Sequence, residues 1–242
     1  MELKDIFKME MFKNWNNKPY LLVIAILTVM AAVATFWGIA AIEGIVNTGS
    51  LFWILFILLN VFFVIGWAVF STLYPFHLLN TDYKNKAMSL IFASGVSRER
   101  YYFVKIGATL LTCSIAQAVI LFIPLVAFLV VYTEHFVFGV QLIIMGFTAA
   151  DVIPFVMMML FSTLAYFVIL TTSVIITRGK IVGIFLYFGF LFAIFFVEVI
   201  ITFPILMLAG EMSSHIVSTL FSIVQIVGFG WLGLHILRRQ DL

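Results

Sequence analysis

The chain has 242 residues, of which 64% are hydrophobic and 10% are charged, and its mean hydropathy is +1.22. A soluble domain has roughly 45 to 50% apolar and about 25% charged residues, so the composition excludes an ordinary water-soluble enzyme. The net charge of +2 is too small to indicate nucleic-acid binding. The single cysteine, Cys113, excludes an intrachain disulfide or a cysteine-based metal cluster. We therefore expect one membrane domain over residues 1–242.

The thirteen Lys and Arg residues define the topology, because they occur in four clusters at residues 4–18, 84–105, 178–180 and 238–239. The cation-free stretches between them run from Pro19 to Tyr83, from Ile106 to Thr177 and from Ile181 to Leu237. Each is long enough for two spanning helices of about 20 residues. Since short loops rich in Lys and Arg stay in the cytoplasm, we predict an all-α, polytopic membrane protein with six transmembrane helices and both termini cytoplasmic.

The N-terminal segment, residues 1–18, precedes the first span. Leu3, Ile6, Phe7, Met11 and Trp15 lie near one helical face, which predicts an interfacial helix, although Lys4 and Glu10 intrude on this apolar stripe. A basic leader that only orients the first span is one alternative. A cleaved signal peptide is another, because Ala32, Val33 and Ala34 resemble a small-residue cleavage site.

Hydropathy then predicts the spans, in chain order, at Tyr20–Ile42, Leu51–Leu73, Tyr102–Tyr132, Pro154–Ile176, Ile181–Val199 and Ile216–Leu237. Outer turns are expected at Glu43–Ser50 and Thr133–His135, and residues 136–151 either lie at the outer interface or extend a tilted helix. A polar break from Gly210 to His215, after Pro204, separates the last two spans. Irregular backbone at membrane depth must be buried in protein or line water, so we predict a broken or re-entrant segment over residues 200–214.

The cytoplasmic link between the second and third spans, residues 80–100, carries the most information. It reads as two helices, because Thr81–Ser94 lacks Gly and Pro, Gly95 suits a C-terminal cap and Ser97 suits an N-cap with Glu99 in the first turn. Its apolar centre, Leu90–Phe92, either dips into the membrane surface or docks on a soluble partner.

Two motifs resemble a known family. The run AMSLIFASGVSRERYYFVKI, residues 87–106, is similar to the cytoplasmic segment of permease subunits of type 2 ATP-binding cassette (ABC) exporters, and HILRRQDL, residues 235–242, is similar to their basic C-terminus. The resemblance implies a coupling helix near Asp82–Ala93 that is seated in a cleft of an ATPase subunit. The docking residues that we expect are Asp82, Met88, Leu90, Ile91, Phe92, Ser97 and Arg98.

The chain lacks a nucleotide-binding motif, which bears on the partners that it would need. No phosphate-cradling GxxxxGK[ST] sequence occurs, so the chain is not expected to be an enzyme or to hold a cofactor. The resemblance implies two copies of a separate ATPase subunit that bind ATP and Mg, a second permease chain, identical or related, and the membrane lipid of a bacterial cell. The cargo would be amphipathic or hydrophobic, such as a peptide or a lipid-like molecule. The alternative is a receptor, scaffold or immunity protein that does not transport.

Polar residues inside the predicted spans are the remaining candidates. Asn60 and Gln117 either hydrogen-bond between helices or line a translocation path. Glu198 is a functional candidate if it lies at membrane depth, but it would be interfacial if the fifth span ended near Val199. The four histidines have no ligand spacing, so no metal site is expected. Gly179 and Gly183 form a GxxxG pattern that is either a packing face or a chance match.

Overall fold

The computed structural model describes residues 3–42, 50–85, 87–131 and 149–240. All regular structure in these residues is helical: α1 (Leu3–Trp15), α2 (Lys18–Ile42), α3 (Ser50–Lys84), α4 (Ala87–Ala93), α5 (Arg98–Val131), α6 (Ala149–Ile176) and α7 (Val182–Arg239). Six helical segments are long and apolar enough to cross a membrane. The predicted all-helical chain with six candidate spans is therefore confirmed for this part of the chain, whereas the side on which the termini lie stays a prediction.

Two predicted spans are shorter than the helices found. The second continues to Lys84 rather than ending at Leu73, and the fifth continues through Pro204 to Leu208 rather than ending near Val199. The break predicted at Gly210–His215 is found within α7 at Gly210 alone, whose φ of 82° and ψ of 178° are not helical. Whether residues 200–214 form a re-entrant segment stays a prediction. Of the outer turn predicted at Glu43–Ser50, only Ser50 is described, as the first residue of α3. The turn predicted at Thr133–His135 lies outside the described residues, and of residues 136–151 only 149–151 are described, at the start of α6.

The link between the second and third spans differs from the predicted helix at Asp82–Ala93. Asp82 belongs to the last turn of α3, and the short helix α4 begins only at Ala87. The predicted caps are found as expected. Gly95 has a φ of 87° and follows the end of α4, while the Ser97 hydroxyl accepts a hydrogen bond from the Arg100 amide at the start of α5.

The helices contribute to two compact units. The first unit contains residues 1–10, 75–110 and 144–242, and the second contains residues 11–74 and 111–143. The boundaries fall inside α1, α3 and α5, so these helices contribute to both units. The prediction of a single domain over residues 1–242 is not decided by this grouping.

In the first unit, α6 packs against α7. The two helices are joined by hydrogen-bonding groups at Ser162 and Ser222, 3.1 Å apart, and by the Thr172 hydroxyl, 2.9 Å from the Phe229 carbonyl. The buried core below them gathers residues from α1, α4, α5, α6 and α7, among them Ile6, Met88, Tyr101, Val168 and Leu237. Many of the large apolar side chains of α7, by contrast, are exposed.

The GxxxG pattern is a packing face. A Cβ at Gly179 would lie 2.1 Å from Asn80 Oδ1 and 2.7 Å from the Tyr83 side chain, and a Cβ at Gly183 would lie 3.1 Å from the Phe76 ring. Phe76, Asn80 and Tyr83 lie on one face of α3, since they are four and three residues apart. The start of α7 and the turn before it therefore approach α3 as closely as backbone allows.

In the second unit, α2 and α3 pair through aromatic and small residues. The rings of Tyr20 and Tyr74 lie 4.8 Å apart, Trp37 and Phe52 meet edge to face at 5.5 Å, and a Cβ at Gly66 would lie 3.3 Å from the Leu27 side chain. The outward face of α3 is almost wholly apolar and exposed. This exposure is expected of a helix that faces lipid rather than water.

Gly179 offers a test of the α3 contact, because Gly95 provides a matched control. Both glycines have positive φ, but a Cβ at Gly95 would meet no atom within 4 Å. Gly95→Ala should cost about 1 to 2 kcal/mol from the left-handed backbone alone. Gly179→Ala should cost about 1 to 3 kcal/mol more because the methyl group overlaps α3. Denaturant titration of the purified variants in detergent measures both costs, and equal costs would contradict the close packing.

Candidate functional site

The base of the first unit is where the charged ends of several helices meet. Tyr83, at the end of α3, donates a hydrogen bond from its hydroxyl to Gln240 Oε1 over 3.1 Å. Gln240 Nε2 donates to the Ile175 carbonyl at the end of α6, over 2.7 Å. Because α5 also begins here, the second, third and fourth cation clusters of the sequence lie at one end of this unit. The side of the membrane on which these clusters lie stays a prediction.

A buried charge cluster of Glu10, Asp82, Tyr101 and Lys105 lies within this base. Lys105 Nζ is 2.7 Å from Glu10 Oε2 and 2.7 Å from Asp82 Oδ2, and all three side chains are at most 4% exposed. The Tyr101 hydroxyl donates a second hydrogen bond to Asp82 Oδ2. Burial of an ammonium group is costly unless it is paired and hydrogen-bonded. The two carboxylates supply that pairing and attach α1 and α3 to α5.

This cluster changes the interpretation of α1. The face that α1 buries contains Ile6, Glu10 and Asn14, at intervals of four residues, whereas Phe12 is 72% exposed. Glu10 contacts Lys105 in the first unit, and Asn14 Nδ2 donates to the Thr112 hydroxyl over 3.2 Å in the second. The predicted apolar stripe is therefore only partly correct, because polar residues that interrupt it make the contacts. Whether the exposed side of α1 meets the membrane surface stays a prediction.

A small cavity lies beside the charge cluster. It has a volume of about 20 Å³. Most of the side chains that line it are apolar, and the lining also includes Tyr83, Tyr101 and Lys105. That space is sufficient for about one water molecule. It is too small for a cargo or a nucleotide.

The second feature of the base is the tail clamp, which we define as Arg98 with the carbonyl groups that it binds. Arg98 Nη1 lies 2.7 Å from the Leu237 carbonyl oxygen, 2.6 Å from that of Arg238 and 2.9 Å from that of Gln240. The last carbonyl groups of a helix have no partner within it and carry a partial negative charge. Arg98 satisfies these groups at the end of α7. Next to the clamp, Arg238 forms an exposed ion pair with Glu99.

The tail clamp also holds α4. The Arg98 guanidinium lies 5.5 Å from the centre of the Phe92 ring, and Phe92 meets Tyr101 edge to face at 5.5 Å. A cation over an aromatic face is attracted by the ring. The short helix α4 is therefore fixed to both α5 and the end of α7.

The predicted docking residues fall into two groups. Asp82 and Met88 are buried, and Ile91 and Phe92 pack against the core and are half-buried. The Leu90 side chain lies outside the described residues. Ser97 is exposed, as are the small residues Ala93, Ser94 and Gly95 just before it. The part of the link that is open to a partner is thus the turn between α4 and α5, rather than the apolar centre that the sequence indicated.

The residues predicted for a translocation path lie in different surroundings. Asn60 is half-buried, and its Nδ2 donates to the Phe56 carbonyl of its own helix over 2.9 Å. Gln117 is also half-buried, and no hydrogen bond joins its side chain to another described residue. Among the described residues, no interhelical hydrogen bond of either amide is found, and that role stays a prediction. A path remains a prediction for both.

Glu198 lies inside a helical segment rather than at its end. The candidate span runs from Val182 to Leu208, so the condition for an interfacial Glu198, a span that ends near Val199, is not met. Glu198 is sixteen residues beyond Val182, which is about 24 Å along a helix. Its depth in a membrane therefore stays a prediction. Its charge also lies close enough to interact with the Tyr166 hydroxyl.

Comparisons with protein-family models, curated proteins and solved structures give no match to this chain. In the part of the chain that the structure describes, no group of three or more His, Cys, Asp and Glu side chains could hold a metal ion. The candidate site is therefore defined by its own geometry. It consists of the exposed turn between α4 and α5, which is supported by the buried charge cluster and the tail clamp.

The sequence analysis missed Glu10, Tyr101 and Lys105 as members of one cluster. A signal was present in two of them. Glu10 interrupts the apolar stripe of α1, and Lys105 directly precedes the second cation-free stretch, where a cation without a partner is costly. Which carboxylate would pair with Lys105 was not contained in local sequence.

Lys105 gives the sharpest test of the buried charge cluster. Lys105→Met should destabilise the chain by about 3 to 5 kcal/mol, because it leaves two carboxylates buried without a cation. Adding Glu10→Gln and Asp82→Asn should recover most of that loss. The measurement is a denaturant titration in detergent, with Lys8→Met, an exposed position on α1, as the control. A triple variant no more stable than Lys105→Met would contradict this account of the pairing.

Arg98 can be tested through the end of α7. Arg98→Gln should remove the charged donor from three carbonyl groups, and hydrogen bonds to charged groups contribute about 1.5 to 3 kcal/mol. Amide hydrogen exchange in residues 236–240 should then rise about tenfold or more. Arg100→Gln, an exposed change two residues along the same helix, should leave it unchanged. Equal exchange in both variants would show that the tail clamp does not hold α7.

Proposed function

We propose that this chain is the membrane-spanning subunit of an ATP-driven exporter of the type 2 ABC class, working with a separate ATPase subunit. The observation that carries the proposal is the tail clamp. It joins the two segments whose sequences resemble that family, because Arg98 belongs to residues 87–106 and its carbonyl partners belong to residues 235–242. These segments lie 139 to 142 residues apart in the chain. The two segments that separately resemble the family therefore contact each other at the base of the first unit.

The six candidate spans and the position of α4 support the same proposal. A seven-residue helix between the second and third candidate spans is short enough to enter a cleft in a partner. Its end and the turn after it are exposed, while its other face is attached to α5. A force applied to this turn therefore acts on α5 through Phe92 and on α7 through Arg98.

Energy enters through the partner in this mechanism. The ATPase binds ATP and Mg, and its closure moves the turn between α4 and α5. The helical bundle then changes between inward and outward arrangements, which requires only that the nucleotide-loaded partner bind the two states unequally. Two ATPase copies and a second permease chain, identical or related, complete the complex. An amphipathic or hydrophobic cargo, such as a peptide or lipid-like molecule, suits a chain of this composition.

The test is purification of the tagged chain from its native cells under mild detergent conditions. An ATPase with a phosphate loop should co-elute with it. Ala93→Glu should reduce that co-elution at least tenfold, because it places a larger, charged side chain on the exposed end of α4. Lys8→Glu, which alters an exposed position on α1, should have no effect.

Two results would contradict the proposal. If no ATPase co-elutes with the unaltered chain, the chain is better explained as a receptor, scaffold or immunity protein. If co-elution persists unchanged in Ala93→Glu while that variant inserts and folds normally, the turn between α4 and α5 is not the docking surface.

A further inference from the structure

The turn between α6 and α7 has an unusual backbone. Arg178 has a φ of 51° and Gly179 a φ of 72°, and Arg178 is the one non-glycine residue with positive φ in the part of the chain that the structure describes. Residues other than Gly, Asn and Asp rarely adopt this conformation. The turn is closed by the Gly179 amide, which donates to the Val174 carbonyl over 2.9 Å. A strained arginine in a tight turn directs attention to its side chain.

That side chain is available to a ligand. Arg178 and Lys180 are both exposed, and no hydrogen bond or ion pair joins either side chain to another described residue. Gly179, between them, lies against Asn80 and Tyr83 of α3. With the glycine packed inward, its two cationic neighbours lie on the surface of the unit.

Two further cations, Lys84 and Arg239, belong to segments that meet at Tyr83, as the turn does. Lys84 follows Tyr83 directly and is exposed. The Tyr83 hydroxyl binds Gln240, which follows the exposed Arg239. The charge of Arg178 also interacts with the Tyr83 hydroxyl. We call Lys84, Arg178, Lys180 and Arg239 the basic collar.

Nearby acidic groups do not neutralise the basic collar within the described residues. Asp82 is buried on Lys105, and Glu99 is paired with Arg238. Lys84, Arg178, Lys180 and Arg239 are thus left as a group of exposed positive charges drawn from three segments. Such a group attracts an anion.

The surface beside the basic collar is apolar. Ile181 is 70% exposed, and Phe185, one helical turn further along α7, is 73% exposed. Ile181 directly precedes the candidate span Val182–Leu208, and Phe185 lies within it. A phosphate group at Arg178 and Lys180 would therefore have room for attached acyl chains along this face. A soluble acidic protein would match the charges but not the exposed apolar surface, so the arrangement favours a lipid.

We propose that the basic collar binds the headgroup of an anionic phospholipid, with the acyl chains lying along the exposed start of α7. The proposal does not depend on the exporter function. It assigns a role to the strained Arg178 turn, which the docking of an ATPase on α4 leaves unused.

The experiment uses the purified full chain in nanodiscs of phosphatidylcholine with and without phosphatidylglycerol. Retained lipid is counted by native mass spectrometry, and the Kd for phosphatidylglycerol is measured by titration in detergent. The unaltered chain should retain phosphatidylglycerol selectively. The double variant Arg178→Asn and Lys180→Gln should bind it roughly thirty-fold more weakly, at about fivefold for each cation removed.

The choice of asparagine separates binding from folding. Asn accepts positive φ more readily than Arg, so the variant should be at least as stable as the unaltered chain in pure phosphatidylcholine. Lys4→Gln with Lys8→Gln removes the same number of exposed charges from α1 and should leave the Kd nearly unchanged. If the turn variant fails to fold, Lys84→Gln with Arg239→Gln tests the other half of the basic collar, with the same expected loss.

Three results would overturn the proposal. The unaltered chain could show no preference for phosphatidylglycerol. The α1 control could lose as much affinity as the turn variant, which would indicate general attraction of a basic surface. The turn variant could also keep its lipid affinity while losing a co-eluting ATPase, which would assign the basic collar to a protein partner.

Discussion

A charged lysine inside a helical bundle must be paired, and most of the base of this protein follows from that requirement. Lys105 lies near the start of α5, directly before the second cation-free stretch of the sequence. Desolvation of an ammonium group and a carboxylate costs several kcal/mol for each ion, and good geometry with further hydrogen bonds is needed to offset it. Glu10, Asp82 and Tyr101 provide that geometry. As a consequence, α1, α3 and α5 meet at one point.

The second constraint is the end of α7, whose last carbonyl groups have no partner within the helix. Arg98 supplies the donors, and its guanidinium also covers the Phe92 ring. One side chain thus satisfies a helix terminus and positions α4. An isolated surface ion pair such as Arg238 with Glu99 contributes much less, since exposed pairs are typically worth about 0 to 1 kcal/mol. Burial, rather than the number of charges, determines which contacts organise the base.

Much of the architecture could be predicted from the sequence because it depends on local composition. Apolar runs and the spacing of cations indicate six candidate spans, and Gly95 and Ser97 locate the turn between α4 and α5 through their own backbone preferences. The positions at which the spans end were predicted less accurately. The second and fifth spans continue beyond the expected residues, the second through polar residues such as Asn80 and the fifth through Pro204. Hydropathy alone does not locate such ends.

The site could be predicted only in part. The link at residues 80–100 was identified, but its apolar residues were expected to face outward, whereas Ile91 and Phe92 pack inward. The pairing of Glu10 with Lys105 depends on which helices are adjacent, and a single sequence does not contain that information. The strain at Arg178 depends on how Gly179 fits against α3, which is equally non-local.

The tail clamp also has a consequence for the order of assembly. Arg98 and Gln240 are 142 residues apart, and Glu10 and Lys105 are 95 apart. During synthesis α5 leaves the ribosome long before the end of α7 exists, and contacts between distant residues form late because closing a long loop costs entropy. Until α7 is complete, Arg98 can cover the Phe92 ring but lacks its carbonyl partners, so α4 is inserted without its attachment to α7. A chaperone or an early-binding partner could bind α4 during this interval, which ends when α7 is inserted and its last carbonyl groups bind Arg98.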